Sequence, residues 1–454
     1  MKKKNILKKP LVLFFLFLVS ISFQLKAEEV QLADIRKVAL NAFAHFSGKT
    51  PNELDILQII PVEYNDTVAF YVLNFEKGFI IISADDVTEP VIGYGLNSSI
   101  DFNDIPLALD FLLEGYKEEI LNAKRQQSSI VQETSDQWEF YLNYNPEIGE
   151  KQSQPLLDKV NVLSCSYAPG TYLVETKWAQ KGGDGNNNIT YNHYCPTDAQ
   201  GRKTIVGCVG VALAQILNYW KCRVYPQGPP VDYTPSGLPR IYIDIAIQTY
   251  NWFNMLPNQA NIDNAKLLYH SAAVVESEFA WNLTNSSDTR VPDKLNSNFG
   301  FSAANWDLKD YYNGNWINLL KTNINNCRPI FYAAIDPARG GHAWVVDGYN
   351  SSNHFHCNWG WGGSSDGWFN LSNLTGNVAF TTDQAAITNI YPTYYSGIST
   401  FQNMTFNSNT YTGHTVKVLN CTVQNNANVI FEVGCTTEIV GPFVVPLGAT
   451  LEIR

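Results

Sequence analysis

A cysteine at the start of an apolar segment is the residue best placed for nucleophilic chemistry. Cys208 begins the run CVGVALAQILNYW (208–220), which is apolar nearly all round and therefore predicts a buried helix. At the N-terminus of such a helix, the helix dipole and unpaired backbone N–H groups are expected to stabilise a thiolate. A buried cysteine at a helix start is often only a small apolar side chain, so catalysis requires a partner.

His342 is the partner that the sequence offers. It follows two glycines in GGHAWVVDGY (340–349), where a tight turn leads into a predicted strand that would hold the imidazole rigidly. It lies 134 residues after Cys208, within the roughly 130–150 residues by which histidine and asparagine follow the nucleophile in papain-type enzymes. We therefore predict that Cys208 and His342 form a nucleophile and its general base.

The motif NWGWGG (358–363) supplies the remaining candidates for this site. The side-chain amide of Asn358 could accept the imidazole N–H and fix its tautomer. Trp359 and Trp361 could shield the pair from water. The alternative is that the motif is an aromatic hairpin packed on the core. The nearby HFH at 354–356 places two histidines on one face of a strand, but two ligands are too few for zinc, so no metal or cofactor is predicted.

Length and composition limit the classes of protein. The chain has 454 residues, enough for about three domains. Apolar residues make up 45% and charged residues 16%, with 24 Tyr, 24 Phe and 11 Trp, which excludes global disorder. The net charge is −11, from 31 basic and 42 acidic residues. This sign is unsuited to neutralising phosphates, so nucleic acid is not an expected partner.

The first 27 residues have the pattern of an export signal. Lysines precede the apolar run LVLFFLFLVSISF (11–23), and the small residue Ala27 follows it. The run is shorter than the roughly 20 residues that span a bilayer, which favours a cleaved signal over a membrane anchor. We expect a protein that is secreted or associated with the cell surface and is not transmembrane. Export permits disulfides, and Cys421 with Cys435 is the leading candidate pair.

Periodicity divides the remaining chain into three regions. Residues 28–160 are predicted to form a small α+β unit that ends in a polar, exposed boundary. Residues 161–393 are predicted to form a second α+β domain, with a helix layer on an antiparallel sheet. Residues 394–454 are rich in Thr, Val and Asn and predict an all-β appendage without a recognisable repeat. The individual helix and strand patterns lie at 30–46, 67–75, 78–86, 90–95, 107–127, 208–220, 343–349, 354–361, 367–374, 414–424, 428–434 and 443–453.

These motifs resemble those of the streptopain family of secreted bacterial cysteine proteases, a branch of the papain-like fold. GCVGVALAQILNYW (207–220) is similar to the family's nucleophile helix. GGHAWVVDGY followed by HCNWGWGGSSDGWF (356–369) is similar to its histidine and tryptophan segment. GFIIISADDVTEPVIGYG (78–95) is similar to its inhibitory propeptide. The resemblance covers about residues 30–393 and leaves out the C-terminal appendage.

The resemblance implies further site residues. Trp361 falls where the family places a tryptophan beside the catalytic histidine. Gln180 is similar to the glutamine that helps bind the oxyanion in papain-like enzymes. Gly341 would let an extended substrate approach closely, and Trp359 is a further candidate for substrate contact. The Asn-rich segment at 177–196 is longer than the family pattern. The resemblance therefore does not fix the position of this segment, which would form the N-terminal wall of the active site.

The predicted fold is therefore α+β: a papain-like two-subdomain protease with an α+β propeptide before it and a small all-β domain after it. The predicted function is that of a secreted cysteine endopeptidase made as a zymogen. Its partners would be protein or peptide substrates and its own propeptide, acting as an intramolecular inhibitor. Two alternatives stay open: a papain-like thiol hydrolase acting on peptidoglycan peptides, and a non-enzymatic surface adhesin. The C-terminal region is the main support for the adhesin.

Overall fold

The computed structural model of the chain describes residues 29–126, 131–146, 167–183, 188–302, 304–336, 340–372, 374, 383–393 and 398–453. The predicted export signal (1–27) and the predicted junctions near residues 160 and 394 lie outside these ranges. No helix within them is long and apolar enough to cross a membrane.

The N-terminal unit, taken over residues 29–126 and 131–146, has a four-stranded antiparallel sheet with helices on both faces. Its elements are α1 (Leu32–Ser47), β1 (Ile56–Tyr64), β2 (Thr67–Phe75), β3 (Phe79–Ser83), β4 (Val91–Gly95), α2 (Leu107–Arg125) and α3 (Gln132–Leu142). Alternation along β3 explains the two layers, because Ile80 and Ile82 face α1 whereas Ile81 faces α2. The predicted helices and strands of this unit are present, and β1 and α3 are additional.

The second unit contains the predicted buried helix at its predicted bounds. Its elements are α4 (Cys208–Trp220), β5 (Val231–Tyr233), β6 (Ile241–Ile243), α5 (Ile262–Val274), α6 (Val291–Phe299), β7 (Asn305–Leu308), α7 (Trp316–Asn325), β8 (Ile330–Asp336), β9 (Gly340–Tyr349), β10 (His354–Asn358), β11 (Gly367–Asn370) and β12 (Asp383–Thr388). Helix α4 packs between α5 and the sheet. A Cβ atom at Gly210 would lie 2.8 Å from the Cβ of Ala272, so glycine permits this close crossing of α4 and α5.

One sheet runs through both units. In the described part of the chain its strand order is β1-β2-β3-β4-β11-β10-β9-β8-β12-β7, with antiparallel neighbours throughout. The junction is between β4 and β11, where Trp368 pairs with Tyr94 and Phe369 pairs with Gly93. A Cβ at Gly367 would lie 2.4 Å from the carbonyl oxygen of Tyr94, so a larger residue would separate the strands. The sequence patterns predicted two units but did not indicate that they share a sheet.

Buried polar contacts reinforce this junction. The hydroxyl of Tyr116 on α2 donates to the carbonyl of Asn370 at 2.6 Å. The side-chain amide of Asn370 donates in turn to the carboxyl group of Glu89. The pKa of Glu89 is raised to about 7, chiefly by burial; the hydrogen bond from Asn370 lowers it, and the nearby carboxylates of Glu133 and Glu119 raise it. The interface thus holds a carboxyl group that is neutral over a wider pH range than usual.

The C-terminal region is all-β, as predicted, and its strands are parallel. Across residues 398–453 it contains β13 (Ile398–Gln402), β14 (Thr405–Phe406), β15 (Asn409–Val423), β16 (Asn428–Val444) and β17 (Thr450–Ile453). Asn409 on β15 pairs with Val429 on β16, an offset of about 20 residues of the kind found in coiled β-solenoids. A straight strand as long as β15 would span about 50 Å, too far for a short connection to return, so the strands must bend around a core.

The described cysteines correct one prediction. Cys195, Cys208, Cys357 and Cys421 are free, whereas Cys327 is disulfide-bonded. The predicted bridge between Cys421 and Cys435 is therefore wrong. The thiol of Cys421 is buried in the core of the C-terminal region, where it donates to the carbonyl of Leu419 at 3.2 Å. It fills space there as a small apolar side chain.

Replacing Glu89 by glutamine should change how the stability of the full chain depends on pH. The folded-state pKa of Glu89, near 7, exceeds the ordinary 4.5. The contribution of Glu89 to the free energy of unfolding is therefore complete below about pH 4.5 and is lost as the pH rises through 7. Glu89→Gln keeps an acceptor for Asn370 and cannot ionise. Urea unfolding should find the variant about 3 kcal/mol more stable than the wild type at about pH 8 and nearly equal to it at about pH 4.5. Glu139→Gln is the control, because Glu139 is exposed on α3; an equal difference at both pH values would contradict the assignment.

Candidate active site

Cys208 is the first residue of α4, and the backbone before it requires glycine. Gly207 has φ 85°, in the left-handed region, and a Cβ there would lie 2.9 Å from the side chain of Thr284. This turn directs the chain into the helix, so that the half-buried thiol lies at its N-terminal end. The helix continues into the core beneath it, which fixes the position of the sulfur.

Burial decides the charge state of this thiol. It raises the pKa of Cys208, and the charge of Asp288 raises it further. The backbone N–H groups of Ala343, Val209 and Cys208 itself donate toward the sulfur and lower the pKa, but the net shift is upward. The thiolate expected from the helix N-terminus alone is therefore not favoured in this form of the chain. A positive charge next to the sulfur is needed to ionise it near neutral pH.

His342 lies on β9, next to the residue whose backbone reaches the thiol. Alternation along the strand turns Ala343 toward the core that contains α4, and Trp344 toward the core that contains α2. His342 shares the face of Trp344, and its ring lies 6.0 Å from that of Phe111 on α2, edge to face at 68°. The structure thus brings the backbone of β9 to Cys208, while a helix of the N-terminal unit packs against the imidazole.

Asn358, the predicted orienting residue, is buried and has other partners. Its side-chain oxygen accepts from Nε2 of Gln215 at 3.0 Å and from the backbone N–H of Gly360 at 3.1 Å. Its nitrogen donates to the carbonyl of Thr176 at 2.6 Å. Two donors occupy the two lone pairs of the oxygen. The predicted hydrogen bond from His342 is therefore not part of this arrangement, because the amide connects α4 to the segment around Thr176.

The two tryptophans of the NWGWGG motif have different environments. Trp359 is 2% exposed, and its indole N–H donates to the carbonyl of Ser365 at 2.9 Å. Its ring packs against Trp344 and Phe369. Contact between Trp359 and substrate stays a prediction, because the core that encloses this side chain in the full-length chain includes residues of α2. Trp361 is only partly buried and forms a β-bridge with Ala179, at the edge of the site.

The two remaining predicted residues border the same region. The carbonyl of Gln180 accepts from the backbone N–H of Val206 at 2.9 Å, which places Gln180 beside the loop that leads into Cys208. Gly341 is exposed on β9, immediately before His342. A Cβ there would meet only the neighbouring strand, at ordinary van der Waals distance.

Gln215 is a site residue that the sequence analysis missed. It lies on α4, seven residues after Cys208, and is fully buried. Its Oε1 accepts from the hydroxyl of Thr176 at 3.0 Å and from the backbone N–H of Trp178 at 3.2 Å. The signal was present, because Gln215 is a long polar residue within a helix that is mostly apolar.

The histidines of the HFH motif have structural partners. Nδ1 of His356 lies 2.7 Å from a carboxylate oxygen of Asp347, and the rings of Tyr172 and Trp368 pack on it. Nε2 of His354 lies 2.9 Å from the carbonyl oxygen of Val91. Among the described residues there is no cluster of three or more His, Cys, Asp or Glu side chains that could hold a metal ion.

The fold and these motifs together define a cysteine peptidase with an N-terminal propeptide. Residues 186–369 match the Peptidase C10 family, and residues 30–120 match the Spi protease inhibitor family. The resemblance read from the motifs is confirmed: the chain is a cysteine peptidase with a propeptide, and it is similar to the Peptidase C10 family and to streptopain.

Individual relatives support the same assignment. Streptopain of Streptococcus pyogenes is 27% identical over 72% of this chain and 80% of its own length. The thiol protease/hemagglutinin PrtT of Porphyromonas gingivalis is 26% identical over 71% of this chain and 37% of its own length. A prointerpain A fragment of Prevotella intermedia matches in structure with a TM-score of 0.53 and 24% identity, over 74% of this chain and 98% of that fragment. This match establishes a shared fold for the propeptide and protease regions.

In the full-length chain, alkylation of Cys208 by iodoacetamide should be slow at neutral pH. Because burial raises its pKa, the rate should still be rising at the ordinary thiol pKa of about 8.5. Mass spectrometry of the peptide that contains Cys208 measures the rate. Cys195 is an internal control, since burial raises its pKa to about 12 and it should stay unmodified. A rate that reaches its plateau below pH 7 would contradict the raised pKa.

Proposed function

We propose that the chain is a secreted cysteine endopeptidase made as a zymogen, with Cys208 as nucleophile and His342 as general base. The observation that carries this proposal is the position of the sulfur, at the N-terminal end of α4 and against the backbone of Ala343. The residue before Ala343 is His342, so a change of side-chain direction at a single strand residue would bring the imidazole to the thiol. Proton transfer between them would give the thiolate–imidazolium pair that the buried sulfur requires.

The reaction would follow the course of acyl transfer. The Cys208 thiolate attacks the carbonyl carbon of the scissile peptide, and the carbonyl oxygen becomes an oxyanion. The backbone N–H of Cys208 and the side-chain amide of Gln180 donate to this oxyanion. His342 gives its proton to the leaving amine, then accepts one from the water that attacks the thioester. Release of the acid returns the thiolate. Trp361 shields the imidazole, and Gly341 leaves room for the substrate backbone.

The N-terminal unit would act as an intramolecular inhibitor through α2. Phe111 packs against the ring of His342, and α2 covers the face of β9 from which that ring projects. Continuity of the sheet through β4 and β11 holds this helix in place. We assign residues 28–160 to the propeptide, 161–393 to the catalytic domain and 394–454 to the C-terminal domain. Loss of the propeptide frees the imidazole to reach the sulfur.

Secretion is the proposed location. The pattern of the first 27 residues supports it. The disulfide at Cys327 agrees with an oxidising compartment. Protein substrates are preferred over peptidoglycan peptides as the proposed class, and release of dye from casein compared with clearing of cell walls tests that choice. The non-enzymatic adhesin is set aside, because the chain is a cysteine peptidase.

Cys208→Ala should abolish both casein hydrolysis and self-processing, because no other residue supplies the attacking sulfur. The purified variant is expected to stay at full length, while the wild type matures under the same conditions. Gel analysis over time and casein hydrolysis measure the two effects. Cys195→Ala is the matched control, since Cys195 is a second free and buried cysteine of the same domain. It should mature and cleave as the wild type does. A Cys208→Ala chain that matures when purified would refute the proposal.

Phe111→Ala should weaken inhibition by the N-terminal unit, because it removes the ring that packs on His342. Phe43→Ala is the matched control: Phe43 is equally buried, but it lies in the core formed by α1 on the opposite face of the sheet. Each truncation should cost about 3–5 kcal/mol of stability. At equal loss of stability, the Phe111 variant should mature several-fold faster than the Phe43 variant. Equal maturation rates would show that only the stability of the unit matters.

A further inference from the structure

We propose that Gln215 is a positioning residue for catalysis. It holds the segment 176–180, and through it the oxyanion-binding Gln180, at a fixed distance from Cys208. This inference rests on the proposed function and adds to it a residue that does not touch substrate. It also assigns Asn358 to the same buried scaffold.

The first argument is the position of Gln215 on its helix. A separation of seven residues is two helical turns, so Gln215 and Cys208 share one face of α4. On this face, the side chain of Gln215 contacts the segment 176–180 through Thr176 and Trp178. Gln215 is therefore the residue through which α4 forms hydrogen bonds to that segment.

The second argument is that every hydrogen bond of the Gln215 side chain described above serves this link. Its oxygen accepts from the hydroxyl of Thr176 and the backbone N–H of Trp178, at 3.0 and 3.2 Å. Its nitrogen donates to Asn358 at 3.0 Å. Asn358 then donates to the carbonyl of Thr176 at 2.6 Å. The segment is thus bound from α4 and from the end of β10 by the same two amides.

The third argument is what the held segment carries. The carbonyl of Trp178 accepts from the backbone N–H of Gly362 at 3.1 Å, and Ala179 forms a β-bridge with Trp361. The next residue, Gln180, accepts from Val206 in the loop before Cys208. Gln215 therefore anchors the stretch of backbone that contains Gln180 and that pairs with Trp361, the two proposed accessory residues.

Energetics explain why a polar side chain occupies this place. Burying an amide without partners is costly, so a glutamine in the core is retained only where its hydrogen bonds are satisfied. A leucine would fit the apolar helix but would leave the hydroxyl of Thr176 and the N–H of Trp178 without this acceptor. Oxyanion donors must lie within a few tenths of an ångström of their productive position. A loosened segment would lose that precision.

The test uses mature enzyme and three measurements. For Gln215→Leu we expect kcat to fall at least about 10-fold with KM changed less than about 2-fold, as for a weakened oxyanion donor. The dissociation constant of a peptide aldehyde should rise by a similar factor, because its hemithioacetal oxygen occupies the oxyanion position. Alkylation of Cys208 by iodoacetamide should stay within about 2-fold of the wild type, because it needs the thiolate–imidazolium pair and no oxyanion donor.

Asn218→Leu is the matched control. Asn218 is another buried amide on α4, and its nitrogen donates to the sulfur of Met255, away from the segment 176–180. This variant should lose stability while kcat and aldehyde binding stay close to wild type. If both leucine variants lower kcat equally at equal stability, Gln215 has only a structural role and the inference is overturned.

A double variant tests the route of the effect. If Gln215 acts through Gln180, then Gln180→Ala combined with Gln215→Leu should lower kcat no further than Gln180→Ala alone. Multiplied effects would show that Gln215 does not act through Gln180, and would refute the inference. Failure of the proposed function would be seen in a different measurement. If the wild type still hydrolyses casein after complete alkylation of Cys208, then Cys208 is not the nucleophile.

Gln215→Glu keeps the inference testable if the leucine variant does not fold. A protonated carboxyl can accept from Thr176 and donate to Asn358, whereas a carboxylate cannot donate. Burial raises the pKa of the introduced group. The kcat of the variant relative to wild type should therefore be near one at about pH 5 and should fall as the pH rises toward 8. A ratio that does not depend on pH would overturn the proposed link to Asn358.

Discussion

The packing of the N-terminus of α4 against β9 is the contact on which the rest of the structure depends. Gly207 turns the chain into the helix, Gly210 lets the helix approach α5, and the backbone N–H of Ala343 faces the sulfur of Cys208. This contact buries the thiol, and burial raises its pKa. The position of the Cys208 thiol therefore disfavours its reactive thiolate form until an imidazolium offsets the cost of desolvation. In the proposed mechanism, the fold keeps the peptidase inactive by controlling one histidine, because the pKa of the sulfur is raised by burial.

That control is built into the same sheet that supports the site. Strand β4 of the N-terminal unit pairs with β11, and α2 lies across β9, so the inhibitory unit extends the architecture of the enzyme. The hydrophobic core under α2 contains residues of both units, among them Leu112 and Trp344. Under the proposed inhibition, the interactions that fold the zymogen are the ones that inhibit it, and removal of the unit must expose both an edge strand and part of this core.

Individual helices and strands were predictable where the hydrophobic pattern of the sequence matches the burial of the element. Helix α4 spans the predicted 208–220 because an apolar run follows a glycine, and β2 spans the predicted 67–75 because its residues are β-branched and aromatic. The joining of β4 to β11 was not predictable, since it depends on a pairing across more than half of the chain. The parallel coils of the C-terminal region were missed because their stacking joins unlike residues about 20 positions apart. Within the site, the sequence named Asn358 but could not reveal that its amide oxygen is already occupied.

The occupied amide bears on which residue fixes the imidazole once it reaches the sulfur. Turning Asn358 toward His342 would break its hydrogen bonds to Gln215, Gly360 and Thr176, and would leave buried groups without partners, at about 1–3 kcal/mol for each. If Asn358 keeps its hydrogen bonds, no buried group loses a partner, and the imidazole of His342 is held by packing instead. Trp361 is partly buried on the adjoining segment, and its position depends on the same hydrogen bonds through Ala179. For the proposed mechanism, this balance favours Trp361 as the residue that contacts the imidazole, with Asn358 acting at a distance through the scaffold that it shares with Gln215.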